Sequence, residues 1–422
     1  MPPIRGSDVI LKGYPEIRDG ELCAALAAYL NEKRPKKLLI IPPDYTRLYS
    51  GAGKITAMII DILGDSCDID VMPALGTHVP MTKEECDSFF LGRVDHRDLI
   101  VHRWRDDVVK LGVVPGQFVS EVSEGLVEDD IDVEVNRLIP GGGYDLILSV
   151  GQVVPHEVVG MANYSKNIFV GCGGPSMIGA SHMLGAFYGI ERIMGRDFSP
   201  VRRVFDYAEE QFLGEFPIVY ILTVTTASGE ETKIHSVFVG RKRELFEGAV
   251  ADSREYNLIK VGKRLKRAVV YLDPREFRST WLGNKAVYRT RMAMADGGEL
   301  IILAPGVDKF GEDPSNDAMI RKYGYCGREN VLKLTKTEAD LAASLSAAAH
   351  LIHGSSDGRF SVTYCTELLS KEEIEGVCYK WMPYREAAAK YRPEVLKDGF
   401  NIVDGEEIYY ISNPALGLWT AE

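Results

Sequence analysis

"KKLLIIPPDYTR", residues 36–47, is the stretch from which the fold is read. The apolar run 38–41 is cut off by two prolines and followed at once by Asp44, Thr46 and Arg47. A short apolar run bounded in this way has the length of a buried strand. A strand that is hydrophobic on both faces belongs in a parallel sheet covered by helices. The polar group then falls at the strand's carboxyl end. The arrangement recurs: "CDIDVM" (67–72) leads through Pro-Ala-Leu to "GTH" (76–78), and "YDLILSV" (144–150) leads to "VVPHE" (153–157). Between them, "GKITAMIIDIL" (53–63) has helical spacing and "TKEECDSFF" opens with a capping box from Thr82 to Glu85. "DLIVHRW" (98–104) reads as a further strand and "GASHMLGAFYGIERIM" (179–194) as a helix.

Further along, "FPIVYILTVTTASGEETKIHSVFVG" (216–240) reads as a hairpin turning at "ASGEE", and "KRELFEGAVADSREYNLI" (242–259) as a helix. A second α/β unit opens at "KRAVVYLD" (266–273). It continues with a helix "TWLGNKAVYRTRMAMA", a glycine pair at 297–298 suited to ending that helix, and the strand "ELIILAP". The expected fold class is α/β with two domains, each a mostly parallel or mixed sheet flanked by helices. The first domain is placed at 1–262 and the second at 266–395, and the strand-like tail within 396–422 is free to return to either. Ligands of open α/β sheets bind beyond the strands' carboxyl ends. Asp44, Arg47, His78 and His156 are therefore expected to share one cleft, with the active site between the two domains.

The totals narrow the function. A net charge of −12 disfavours nucleic acid or an anionic membrane as main partner. No apolar run is long enough to span a bilayer, and "MPPIRGSDVI" has no apolar signal core, so a cytoplasmic location is expected. Seven scattered cysteines without a CxxC pair fit reduced thiols and give no zinc-ribbon signal.

The segment "GMANYSKNIFVGCGG" (160–174) sets Lys166 before a cluster of glycines, with His156 ten residues upstream and His182 sixteen downstream. A P-loop needs its lysine after the glycines, so that reading fails, and no dinucleotide fingerprint is in frame. HExxH is absent. A Schiff-base lysine and a two-histidine metal site stay open, as do ordinary roles: a solvated lysine, a hydrogen-bonded loop histidine, glycines in a tight turn. The residues alone support a small-molecule site, most simply an enzyme.

The set "DYTR" (44–47), "GTH" (76–78), "PHEVVGMANYSK" (155–166) and "GASHMLGAF" (179–187) resembles the lactate racemase family. The resemblance is strongest over 36–190. It implies a racemase or 2-epimerase that inverts C2 of a 2-hydroxy acid by hydride transfer to and from a nickel-pincer nucleotide, an isomerase whose cofactor is made by other proteins. By the same resemblance Lys166 is the covalent anchor, His182 the nickel ligand, and His78 and His156 the acid/base pair. Asp44, Thr46 and Arg47 hold the nucleotide end, and a guanidinium fork suits a phosphate. In the second domain "WLGNK" (281–285) resembles the family's Tyr-Gln-x-x-Lys segment: Lys285 fits its lysine, while Trp281 and Leu282 depart from it. The Phe-x-Gly-Gly-x-Lys run expected before the anchor is here "GMANYSK". The polar Asn163, Tyr164 and Ser165 suggest a substrate larger than lactate, such as a sugar acid. A non-catalytic binding protein of the same fold, or a metal-dependent hydrolase or lyase, are the competing classes.

Overall fold

The computed structural model describes residues 8–228 and 231–421. The chain forms two compact units: Met1–Leu184 with Ile193–Asn257, and Gly185–Arg192 with Leu258–Glu422.

The first unit is built on a six-stranded mixed sheet. Its strands are β1 (Val9–Lys12), β2 (Lys37–Ile41), β3 (Asp68–Val71), β4 (Leu146–Gln152), β5 (Ile218–Ser228) and β6 (Glu231–Gly240), in the order β1-β6-β5-β4-β2-β3. β3, β2, β4 and β5 run parallel, and β6 and β1 are antiparallel additions. Leu38, Leu39, Ile40 and Ile41 are all fully buried. Because successive strand side chains point to opposite faces, Leu39 and Ile41 enter one hydrophobic cluster and Leu38 and Ile40 another. Burying each such side chain contributes about 1.5–3 kcal/mol. Helices close both faces. Ala52–Leu63 supplies Ile55 and Ile59 to the second cluster. Pro200–Phe212 and Arg243–Asn257 supply Val204, Phe205, Phe246 and Val250 to the first. A charged side chain in place of Leu39 would break the first cluster.

The second unit carries another six-stranded sheet: β7 (Leu265–Tyr271), β8 (Met294–Leu303), β9 (Ser361–Cys365), β10 (Lys380–Met382), β11 (Gly399–Val403) and β12 (Glu406–Ile411), ordered β10-β9-β8-β7-β12-β11. All neighbours are parallel except β11 and β12. The tail therefore completes the second unit and not the first, and Leu418–Thr420 pairs there with Leu258–Lys260.

Several sequence expectations need correction. Residues 98–104 form no strand. Leu99 makes a single bridge to Val71, and a turn follows in which Arg103 pairs with Asp107 at 2.7 Å. Arg103 is claimed by its local bonds to Asp107, while His102 is held by distant partners, the Gly173 carbonyl and the Asn136 side chain. The glycine pair at 297–298 ends no helix but lies inside β8, where the register against β7 shifts. A Cβ on Gly298 would stand 2.9–3.1 Å from the carbonyl oxygens of Ala295, Leu265 and Lys266. The helix read over "TWLGNKAVYRTRMAMA" is two short ones, Thr280–Gly283 and Lys285–Thr290. The one read over 179–194 breaks at Gly189. The capping box of Thr82 and Glu85 is present, as are the two hairpin strands; residues 229 and 230 of the expected "ASGEE" turn lie outside the described residues.

Candidate active site

The parallel strands β2, β3 and β4 end at one edge of the first sheet, with Ile40 opposite Val71 and Ile41 opposite Ser149. Their continuations deliver Asp44, His78 and His156 to that edge. Asp44 caps the 3-10 turn Tyr45–Ser50, accepting from the Thr46 amide at 2.8 Å and from the Thr46 hydroxyl. Its other oxygen meets His78 Nδ1 at 2.6 Å. Burial pushes this carboxyl up, but the charge and hydrogen bonds of His78, together with Thr46, outweigh it and hold it below the usual carboxylate range. Asp44 and His78 thus form a carboxylate–imidazole pair, with Thr46 as its buttress. A carboxylate accepts, so His78 Nδ1 carries a proton, and whenever the ring is neutral its basic nitrogen is Nε2.

His156 is buried and rests in the opposite state. Its Nδ1 accepts from the Val158 amide at 3.1 Å, which puts the proton of the neutral ring on Nε2. Glu157 stands 3.5 Å from the same Nδ1. Sequence reasoning passed over Glu157, although it sits next to His156 in the motif.

Lys166 heads a π-helical turn, Asn167–Gly171, where a loop was expected. Such turns are concentrated at functional sites. The glycines that follow serve close packing. A Cβ on Gly171 would lie 2.6 Å from the Ala74 Cβ, and one on Gly173 would overlap the Phe169 carbonyl. This lets the Gly76 amide donate to the Gly171 carbonyl at 2.8 Å, joining the Lys166 segment to the loop of His78. Asn167 donates to Ser149 Oγ and to the Ile41 carbonyl, joining it to β4 and β2.

Lys166 is half-buried, and among the described residues its amine meets no hydrogen-bonding or ion-pairing partner. Burial, then the positive charge of Arg47, lowers its pKa to about 8, so a substantial fraction is the neutral, nucleophilic amine near neutrality. His182, on the helix Pro175–Tyr188, has Nδ1 donating to the Ile178 carbonyl at 2.6 Å. Burial lowers its pKa to about 4. It is a neutral imidazole with its Nε2 lone pair directed away from the helix backbone, the state a metal ligand needs, and the carbonyl fixes the tautomer. Arg47 has a buried Nη1 with no partner, an unmet donor suited to an anion.

Among the described residues no three His, Cys, Asp or Glu side chains are grouped to hold a metal ion.

Asn163, Tyr164 and Ser165 have partners within the protein: Asn163 Oδ1 accepts from the Tyr164 amide at 2.7 Å. The Tyr164 ring stacks on Phe246 at 5.0 Å and its hydroxyl donates to the Arg241 carbonyl, while Ser165 is fully buried against Arg202. In the second unit Lys285 is buried in an ion pair with Glu276 at 3.2 Å, and Trp281 stacks on His350 with ring centres 4.1 Å apart. Arg202 had no signal in the sequence.

Comparison with known proteins points the same way. Residues 21–191 match the family model of the lactate racemase N-terminal domain. A crystal structure of a Thermotoga maritima protein, a structural-genomics target, superposes with a TM-score of 0.84 at 23% identity, covering 97% of this chain and 99% of that one. The lactate racemase apoprotein from Thermoanaerobacterium thermosaccharolyticum superposes with a TM-score of 0.67 at 17% identity, covering 94% and 88%. At these identities the two structures speak for the fold. No curated protein sequence matches the chain significantly.

Proposed function

Since its N-terminal region makes this chain a divergent member of the lactate racemase family, we propose that it inverts C2 of a 2-hydroxy acid, using a nickel-pincer nucleotide anchored on Lys166. The observation that carries the reading is the amine of Lys166: unpartnered, half-buried and lowered to about 8, beside a neutral His182 and an unmet Arg47 donor. Those three residues fit the group. Lys166 would hold it covalently through its amine, His182 Nε2 would serve as the protein ligand to its nickel, and Arg47 would meet its phosphate. Soft sulfur donors with one imidazole suit Ni(II).

When bound, the cofactor supplies a ring carbon that takes a hydride from C2 and returns it. The chain's own task is the hydroxyl proton. His78 Nε2 accepts that proton as the C–H bond breaks, and Asp44 stabilises the imidazolium that forms. His156, in its imidazolium form with Glu157 3.5 Å from Nδ1, supplies the Nε2 proton to the oxygen when C2 is rebuilt from its other face. For the opposite enantiomer the roles exchange. An imidazole whose ordinary pKa lies near neutrality serves as base in one direction and, once protonated, as acid in the other. Trp281 and Lys285 come from the resemblance alone, and the reading does not depend on them. Nor does it require further hydroxyls on the substrate, because Asn163, Tyr164 and Ser165 are engaged within the protein.

The test is racemisation of single-enantiomer 2-hydroxy acids by cofactor-loaded enzyme in D2O. Hydride transfer predicts inversion with the C2 hydrogen retained. Deuterium at C2 in the product would mean carbanion chemistry and would refute the mechanism.

A further inference from the structure

Arg202 lies on the helix Pro200–Phe212, well beyond the motifs that mark the site, and its guanidinium is completely buried. Burying a cation is costly unless its donors are used. Nη1 donates to Ser165 Oγ at 2.9 Å, and Nη2 donates to the carbonyls of Met161 at 2.8 Å and Asn163 at 3.2 Å. The ring of Phe246 lies under the fork at 4.5 Å. Among the described residues no carboxylate takes a hydrogen bond from it, and the nearby Asp197 and Asp206 are bonded to Arg243 instead. All three side-chain bonds of this buried charge therefore go to one loop, the five residues ahead of Lys166.

That loop needs holding. Asn163 and Tyr164 have φ of 66° and 56°, two successive residues in the left-handed region that non-glycine residues rarely adopt. One arm of the fork, Nη2, reaches the carbonyls of 161 and 163, and the other arm, Nη1, reaches Ser165. A lysine could not span them with the same rigidity.

We propose that Arg202 is a positioning residue for Lys166: by tying the loop at residues 161, 163 and 165 it fixes where the amine stands and keeps it out of bulk water. The inference deepens the reading of Lys166 as the anchor, and its test does not need the cofactor. Cyanate is small and modifies only neutral amines. Apo protein at pH 8 is treated with it, and modification of Lys166 is measured by peptide mass against exposed Lys371 as internal standard. Arg202→Met is expected to lower the Lys166/Lys371 ratio by at least about tenfold, because it both frees the lysine and removes the nearby charge of Arg202; Arg202→Lys, which keeps that charge, isolates the positioning part. Arg202→Lys, which keeps a donor but loses the fork, is expected in between. Ser165→Ala is expected to shift the ratio less, and these two milder variants carry the test if Arg202→Met does not fold. A lowered melting temperature with an unchanged ratio in all three variants overturns the proposal, since a merely structural residue would behave in that way. The parent reading fails separately: if wild-type loaded enzyme carries no adduct on Lys166 while the ratio still collapses, the anchor is wrong and the positioning role stands.

Discussion

Two lysines, one in each unit, show how a fold decides what an amine is for. Lys285 is buried in the second unit against Glu276, whose other oxygen accepts from Asn413 at 3.4 Å. Its charge is neutralised where it stands. Lys166, in the first unit, has no bonded carboxylate among the described residues; burial and the repelling charge of Arg47 outweigh the attraction of the nearby Glu157 and Asp44. One environment keeps a cation for structure. The other makes the cation unfavourable and favours the nucleophile. The difference lies in the neighbours: Glu276, only nine residues before Lys285, and for Lys166 the distant Arg47, in the turn that follows β2.

The contrast is broken or sharpened by substitutions at both sites. Lys166→Met is expected to reduce racemisation to background and to abolish the mass increase on its peptide, whereas Lys285→Met leaves that increase in place. Loss of the adduct in Lys285→Met would erase the distinction. His78→Ala and His156→Ala are each expected to lower kcat by about 10²–10⁴, the usual contribution of a positioned acid or base. Steady-state kinetics in both substrate directions would check this, and an effect confined to KM would contradict the proton-transfer roles. Lys285→Met leaves Glu276 buried and unpaired, so denaturant unfolding should record a loss of about 3–5 kcal/mol. An unchanged midpoint would mean that the pair is not the buried contact described.

The smallest effect has the opposite sign. Lys166 has a folded pKa of about 8 against 10.5 for the free side chain. Between these values the unfolded chain binds more protons than the native one, so stability rises with pH across this window. Below pH 8 the native state bears the full cost of confining the charge. Lys166→Met should therefore stabilise the apo protein at pH 7, by about 1–2 kcal/mol given partial exposure, with the gain vanishing toward pH 10.5. Destabilisation at pH 7 would show that the amine has a compensating partner.

Much of this was legible in the sequence. The runs at 38–41, 67–72 and 144–150 are apolar enough to be strands on sight, and prolines or glycines mark their ends. The polar residues after them were therefore assigned to one edge. What the sequence hid depends on long-range partners. "ANYS" looked like polar decoration of a pocket, because nothing near it announces that Tyr164 will stack on Phe246 or that Ser165 will meet Arg202. Asp44 was read as a nucleotide contact, and its bond to His78 crosses from one strand end to the next. Residues 98–104 were taken for a strand because periodicity does not show that Arg103 and Asp107 will close a turn.

The central claim is that Lys166 is a covalent anchor. It is tested most directly by producing the protein in a host able to make the nickel-pincer nucleotide, then measuring metal content and mapping peptide masses. The account predicts one nickel per chain and a mass increase confined to the peptide containing Lys166. An active, metal-loaded protein with zinc and an unmodified Lys166 would contradict it.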